Sequence, residues 1–227
     1  MHIVILIVVL LAAVVGPGLW VKAVMARYSR PVYRYSDSGA QIARRLLDHL
    51  GLDQVRTEVT DKGDHYDPIA KVVRLSPENF EGRSLTAVTV AAHEVGHALQ
   101  DALGFRPLVW RTRLVVWVGP IEKLGASMLM LAPFTVALAR VPLIGLLTFL
   151  GGLAALGTGT AIHALTLPTE FDASFGRALP LLRKLGLLLP GDEAGARRIL
   201  TAAALTYVAA SLMSLLNIAR WWAIIRR

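Results

Sequence analysis

Hydrophobic and polar positions are patterned in this chain on two length scales. On the long scale, Ile3–Val21 is a run of about 19 residues without a charge, and Leu124–Ala139 and Val141–Thr166 are two more apolar runs separated only by Arg140, with Pro142 just beyond it. Runs of this kind predict helices that cross a bilayer. Glu122 and Lys123 stand just ahead of the second run, so the pattern predicts a membrane hairpin turning near Arg140–Pro142. A last apolar helix is expected over about Ile199–Ile218, followed by Trp221 and Trp222 as interface anchors. Arg220, Arg226 and Arg227 weigh against translocating the C-terminus, which leaves a monotopic or re-entrant helix as the alternative there.

Between these runs the periods shorten. Ser38-Gly39-Ala40-Gln41 has the spacing of a capping box, Ile42, Leu46 and Leu50 mark one apolar face, and Gly51 is a natural stop; together they predict a helix over 39–50. Val55, Thr57 and Val59 alternate as in a strand, and Asp61–Pro68 is rich in turn residues. Lys71–Ser76 reads as a second strand, either in the core or at an edge where an extended peptide could add to it. Ser84 opens a helix expected over about 85–103, ended by Gly104 and Pro107. The chain therefore divides into an anchor (1–24), a mixed helix–strand region (25–112), the hairpin (113–166), a hydrophilic segment (167–198) and a C-terminal apolar helix (199–227). That is a mainly α integral membrane protein with a small α+β domain and about four membrane helices.

Composition agrees: 55% of residues are hydrophobic and the mean hydropathy is +0.54, too apolar for an ordinary soluble domain. The first run has no basic segment before it and exceeds the length of a signal-peptide core, so an uncleaved anchor fits better than a leader. Lys22, Arg27, Arg30 and Arg34 follow it and predict that the chain emerges into the cytoplasm. The net charge of +8 does not imply nucleic acid, because residues 22–112 carry 13 Lys and Arg against 11 Asp and Glu, and most of the surplus borders apolar runs. There is no Cys, so any metal must be held by His and carboxylate.

The chemistry concentrates in His93-Glu94-Val95-Gly96-His97, within the predicted 85–103 helix. Residues four apart lie one above the other on a helix, so His93 and His97 can face one zinc ion, with Glu94 placed as a general base rather than a ligand. Chance alone would give this motif in about one shuffled chain in two hundred of this composition, so its surroundings must support it. A catalytic zinc needs a third protein ligand. His2 and His49 fall on unpromising segments; His65, in a turn, and His163, in an apolar run, are weak candidates. Glu170 is the better one: it follows Leu167-Pro168-Thr169 at a plausible helix start, and two hairpin crossings return it to the side of His97. The competing reading is a surface acid favoured by the helix dipole.

Four blocks of sequence then define a resemblance: Asp64-His65-Tyr66-Asp67-Pro68, Lys71–Ser76, Ala91–Gln100 and Leu165–Ser174, continuing through Ala202–Ala210. The chain resembles the YugP-type membrane zinc metallopeptidases of bacteria and, more distantly, the HtpX-type membrane gluzincins. The resemblance implies a zincin-like catalytic domain, one Zn²⁺ per chain on His93, His97 and Glu170, metalloendopeptidase activity on protein or peptide substrates with Glu94 as base, and a multi-pass location in the bacterial plasma membrane. With the predicted topology, the site faces the cytoplasm. One departure stands out: gluzincins commonly carry Asp four residues after the ligand Glu, where this chain has Ser174. Asp172 is expected to face elsewhere on the helix, so nothing is assigned to support the imidazoles, and Arg177 and His163 are the candidates for stabilising a developing oxyanion. Two rival readings are an intramembrane, site-2-like protease with the 85–99 stretch as a span, and a non-catalytic zinc-binding membrane scaffold.

Overall fold

Ser38 opens the first short helix by the reciprocal bonds its spacing predicts: its hydroxyl accepts from Gln41 N–H while the Gln41 side chain accepts from Ser38 N–H. In the computed structural model, which describes residues 2–139, 142–206 and 208–209, this helix is α2 (Gly39–His49), after α1 (His2–Tyr28). The rest is β1 (Arg56–Val59), β2 (His65–Asp67), β3 (Val72–Leu75), α3 (Pro77–Phe80), α4 (Leu85–Ala102), α5 (Arg106–Ala139), α6 (Pro142–Phe171), a π-helical segment (Asp172–Ala178), α7 (Leu179–Lys184) and α8 (193–206). The protein is mostly helical with one three-stranded sheet.

Gly18–Val109 and Leu167–Thr206 form one compact unit. Its core is α4, whose residues are buried at 15 of 18 positions. A helix apolar on every side is either a core helix or a membrane span; α4 packs on α2, the sheet and the π-helical segment, so its apolarity is that of a core. Ser84 caps its start by accepting from Ala87 N–H at 3.1 Å. Its end is a Schellman turn, with Gly104 N–H on Asp101 O at 3.0 Å and Phe105 N–H on Gln100 O at 2.9 Å, and Gly104 takes the positive φ (63°) that this turn requires.

The sheet runs β1-β3-β2, with β1 parallel and β2 antiparallel to β3. Lys71–Ser76 thus supplies the central strand; Val72, Val73 and Leu75 are fully buried, and both of its edges are paired. It has no free edge for a peptide, which removes the substrate-pairing alternative. The segment expected only as a turn contributes β2. Asp67 closes that turn by accepting from Ile69 and Ala70 N–H, and Tyr66 Oη and Lys71 Nζ both bond the Asp101 carboxylate near the end of α4.

Lys22 and Arg27 of the basic stretch lie in the last turns of α1, with Arg30 and Arg34 beyond its end; Val24, Met25 and Tyr28 of these turns pack on the core and Thr86 Oγ1 donates to Met25 O. Arg34 and Tyr35 then reach Asp192, just ahead of α8, at 2.6–2.7 Å.

The second unit comprises Met1–Pro17, Trp110–Thr166 and Tyr207–Arg227. Helix α5 runs unbroken through Pro120, Glu122 and Lys123, which the sequence pattern placed ahead of a helix start. Pro120 and Pro133 each remove one helical hydrogen bond, and the remaining bonds of the 34-residue helix carry it past both. Helices α5 and α6 approach closely at Gly152, where a Cβ would lie 2.9 Å from Gly125 O. Among the described residues, one helix, Arg106–Leu131, is long and apolar enough to cross a membrane. The four expected crossings are therefore not all seen. The predicted turn at Arg140, most of the predicted C-terminal helix and the Trp221-Trp222 anchors lie outside the described residues, as does the side chain of His163.

Candidate metal centre

Helix α4 presents His93 and His97 on one face, one turn apart, with ring centroids 4.8 Å apart and planes at 78°. At the end of α6, Glu170 meets both: its Oε2 lies 3.3 Å from His93 Nε2 and 3.2 Å from His97 Nε2. All three are buried, Glu170 to 1% exposure, and their candidate ligand atoms lie within 4.8 Å of one another. Glu94 is buried beside His93 on the same helix. The structure thus brings together the three residues expected to meet. His65 is not among them; its Nδ1 bonds Gly63 O on a turn, and His49 is an exposed residue of α2.

The other ring nitrogens show how the site is set. His97 Nδ1–H donates to Gln100 Oε1 at 2.9 Å, and Gln100 Nε2 donates to Thr169 O and to Asp172 Oδ2, each at 2.8 Å. Ser174 Oγ lies 3.1 Å from His93 Nδ1 and donates its own proton to Leu200 O at 3.2 Å, so His93 Nδ1–H is the donor in that pair. With both Nδ1 atoms protonated, both neutral imidazoles turn an Nε2 lone pair toward Glu170. Three acceptor atoms converge in a buried space, and such a set repels itself unless a cation sits at the focus. Burial pushes the Glu170 carboxyl up; protonated imidazoles would pull it down, and with both rings neutral that part falls to a cation at the focus. Two imidazoles and one carboxylate form a donor set that fits Zn²⁺.

Two supports escaped the sequence reading, and one expectation is corrected. Ser174, singled out as a departure, orients His93. Asp172, expected to face away, reaches the His97 side through Gln100. The segment beginning at Asp172 winds as a π-helix, a form found mostly as short insertions at functional sites, and α-helical spacing does not predict its faces. Gln100 had a signal of its own: it is the polar residue three positions after His97 on a helix otherwise buried and mostly apolar. Arg177 is engaged with Asp172, its Nε on Oδ2 at 3.1 Å, and stacks over Phe105.

Gly96 has a geometric task within the motif. A Cβ there would lie 2.7 Å from Ala173 O, so glycine lets α4 and the π-helical segment approach closely enough to join His93 to Ser174.

Two buried histidines and a glutamate within reach of one another, with a further acid beside them on α4, are a group that could hold one metal ion. Residues 2–226 match the family described as "Putative neutral zinc metallopeptidase", and the chain belongs to that family. It is 38% identical over 229 residues, covering 95% of each chain, to the "Putative membrane protease YugP" of Bacillus subtilis (strain 168). No solved structure matches it.

Proposed function

We propose that the protein is a membrane-bound zinc endopeptidase in which His93, His97 and Glu170 hold one Zn²⁺ and Glu94 is the general base. The observation that carries this reading is the convergence of three buried acceptor atoms, with the outer nitrogen of each imidazole already committed to a hydrogen bond. Zinc bound there supplies Lewis acidity, making a water more acidic and polarising a peptide carbonyl. Glu94 accepts the water's proton and returns it to the departing amine. Gln100 and Ser174 keep the imidazoles in the tautomer that offers Nε2, and the buried surroundings limit competing water.

The membrane part of the proposal draws on the expected topology: α1, the α5–α6 hairpin and a C-terminal helix in a bacterial plasma membrane, with the site facing the cytoplasm. Val116, Trp117, Met130, Phe134 and Leu147, at 60–68% exposure along α5 and α6, support it, because an apolar outer face of this kind requires lipid or a protein partner. The packing of α4 as a core helix favours a site outside the hydrocarbon over an intramembrane protease. A site tethered by apolar helices suits cleavage of membrane-protein segments close to the bilayer.

Incubating the detergent-purified protein with casein tests the reading. Chelator-sensitive cleavage is expected, with Glu94→Gln retaining zinc and losing at least about a hundredfold in rate. Cleavage that persists in Glu94→Gln, or zinc bound with no cleavage at all, contradicts it.

A further inference from the structure

The two imidazoles of the site are held by different devices, and the one behind His97 is the more elaborate. An amide has one strong acceptor and two donor protons, and Gln100 uses all three. Its Oε1 accepts from His97 Nδ1–H, while its Nε2 protons go to Thr169 O and Asp172 Oδ2. This fixes which way the amide points. A flipped amide would set its oxygen against a carbonyl and a carboxylate at once. Gln100 is fully buried, so an unmet bond could not be replaced by water. Its backbone is pinned as well, since Gln100 O is the acceptor of the turn that ends α4. Asp172, at the far end, is held in turn by Arg177 Nε.

We propose that Gln100 is a positioning residue for the metal ligands: an amide relay that carries the Asp172 carboxylate to His97 at one remove and ties that ring to the backbone residue preceding Glu170. The proposal rests on the reading that His93, His97 and Glu170 hold zinc. A carboxylate bonded directly to a ligand histidine fixes the ring and raises its basicity. Here the amide passes on the orientation, and its second proton, on Thr169 O, locks α4 to the turn that carries the third ligand. Two ligands from separate parts of the chain are thereby held in register by one side chain. His93, by contrast, rests on a hydroxyl that leads only to a backbone carbonyl, that of Leu200.

The test uses the full-length protein in detergent, with zinc affinity measured by competition against a chelator of known strength and the visible spectrum of the Co²⁺-substituted protein recorded alongside. Gln100→Met is expected to weaken zinc binding by about ten- to a hundredfold and to shift the Co²⁺ bands. Gln100→Glu should weaken it too, because the introduced carboxylate faces Asp172 and the Thr169 carbonyl. Adding Asp172→Asn supplies a donor to that carboxylate, and the pair Gln100→Glu/Asp172→Asn should bind zinc more tightly than Gln100→Glu alone. Loss of packing alone predicts no such recovery. Should Gln100→Met not fold, Asp172→Ala, which alters a partly exposed side chain, is expected to weaken zinc binding several-fold. Folded Gln100 variants that bind zinc within twofold of wild type with unchanged Co²⁺ bands, or a pair that shows no recovery, overturn the relay while the wild-type site stands. Failure of the wild-type protein to bind zinc overturns both the relay and the reading beneath it.

Discussion

His93 and His97 offer their Nε2 atoms because each Nδ1–H is already bound, one to Ser174 and the other to Gln100. Glu170 completes the set with an almost wholly buried carboxylate. Replacing it by Gln preserves shape but removes the charge, so Glu170→Gln is expected to lose most of its zinc with little change in α-helical content, as metal analysis and circular dichroism would report. Gly96→Ala is expected to destabilise the protein by about 1–3 kcal/mol, from the clash with Ala173 O, and to lower zinc affinity by parting His93 from Ser174. Unchanged thermal unfolding in that variant would contradict the close approach. At this scale much was legible in the sequence. His93, Glu94 and His97 stand out by local spacing and Glu170 by its place after an apolar run read as a hairpin, and the structure brings His93, His97 and Glu170 together. Gln100, Ser174 and Asp172 did not, because their roles depend on which faces meet in three dimensions, and the π-helical winding after Phe171 changes those faces.

Helix α4 works because its ends are fixed locally and its middle is packed on all sides. The Ser84 cap and the Gly104 turn were both readable, since caps are written in a few adjacent residues. The short β2 was not, because three residues in a turn-rich stretch carry no period, and it forms only against β3. The central place of β3 was open for the same reason: strand order is a long-range property. Asp192 gives this scale its own test. The carboxylate accepts from Arg34 and Tyr35, which link the chain after α1 to the start of α8, and Arg34 foremost holds it below the usual aspartate range despite its burial. A depressed carboxyl stabilises the fold above its unfolded value, near about 3.9, and that contribution is lost as pH falls through the folded value. Asp192→Asn is therefore expected to cost about 1–3 kcal/mol at pH 7 in chemical denaturation, and the gap from wild type should close below about pH 4. A gap that is constant down to pH 3 contradicts the pairing.

At the scale of the whole molecule, the sequence pattern distinguished the long apolar runs from the mixed region, and the structure resolves a unit built around α4 that contains every residue of the candidate centre. The stretch 85–99, apolar enough to pass for a membrane span, is instead the core of that unit, a difference that hydropathy alone cannot detect. Charges at Glu122 and Lys123 misled in the other direction, because α5 continues through them. The account's central claim is that this unit is assembled around one zinc ion held by His93, His97 and Glu170. Metal analysis of the detergent-purified protein, wild type beside Glu170→Ala, tests it most directly. The account predicts one zinc per chain in the wild type and close to none in the variant; a wild type without zinc, or a variant that keeps its full complement, would contradict it.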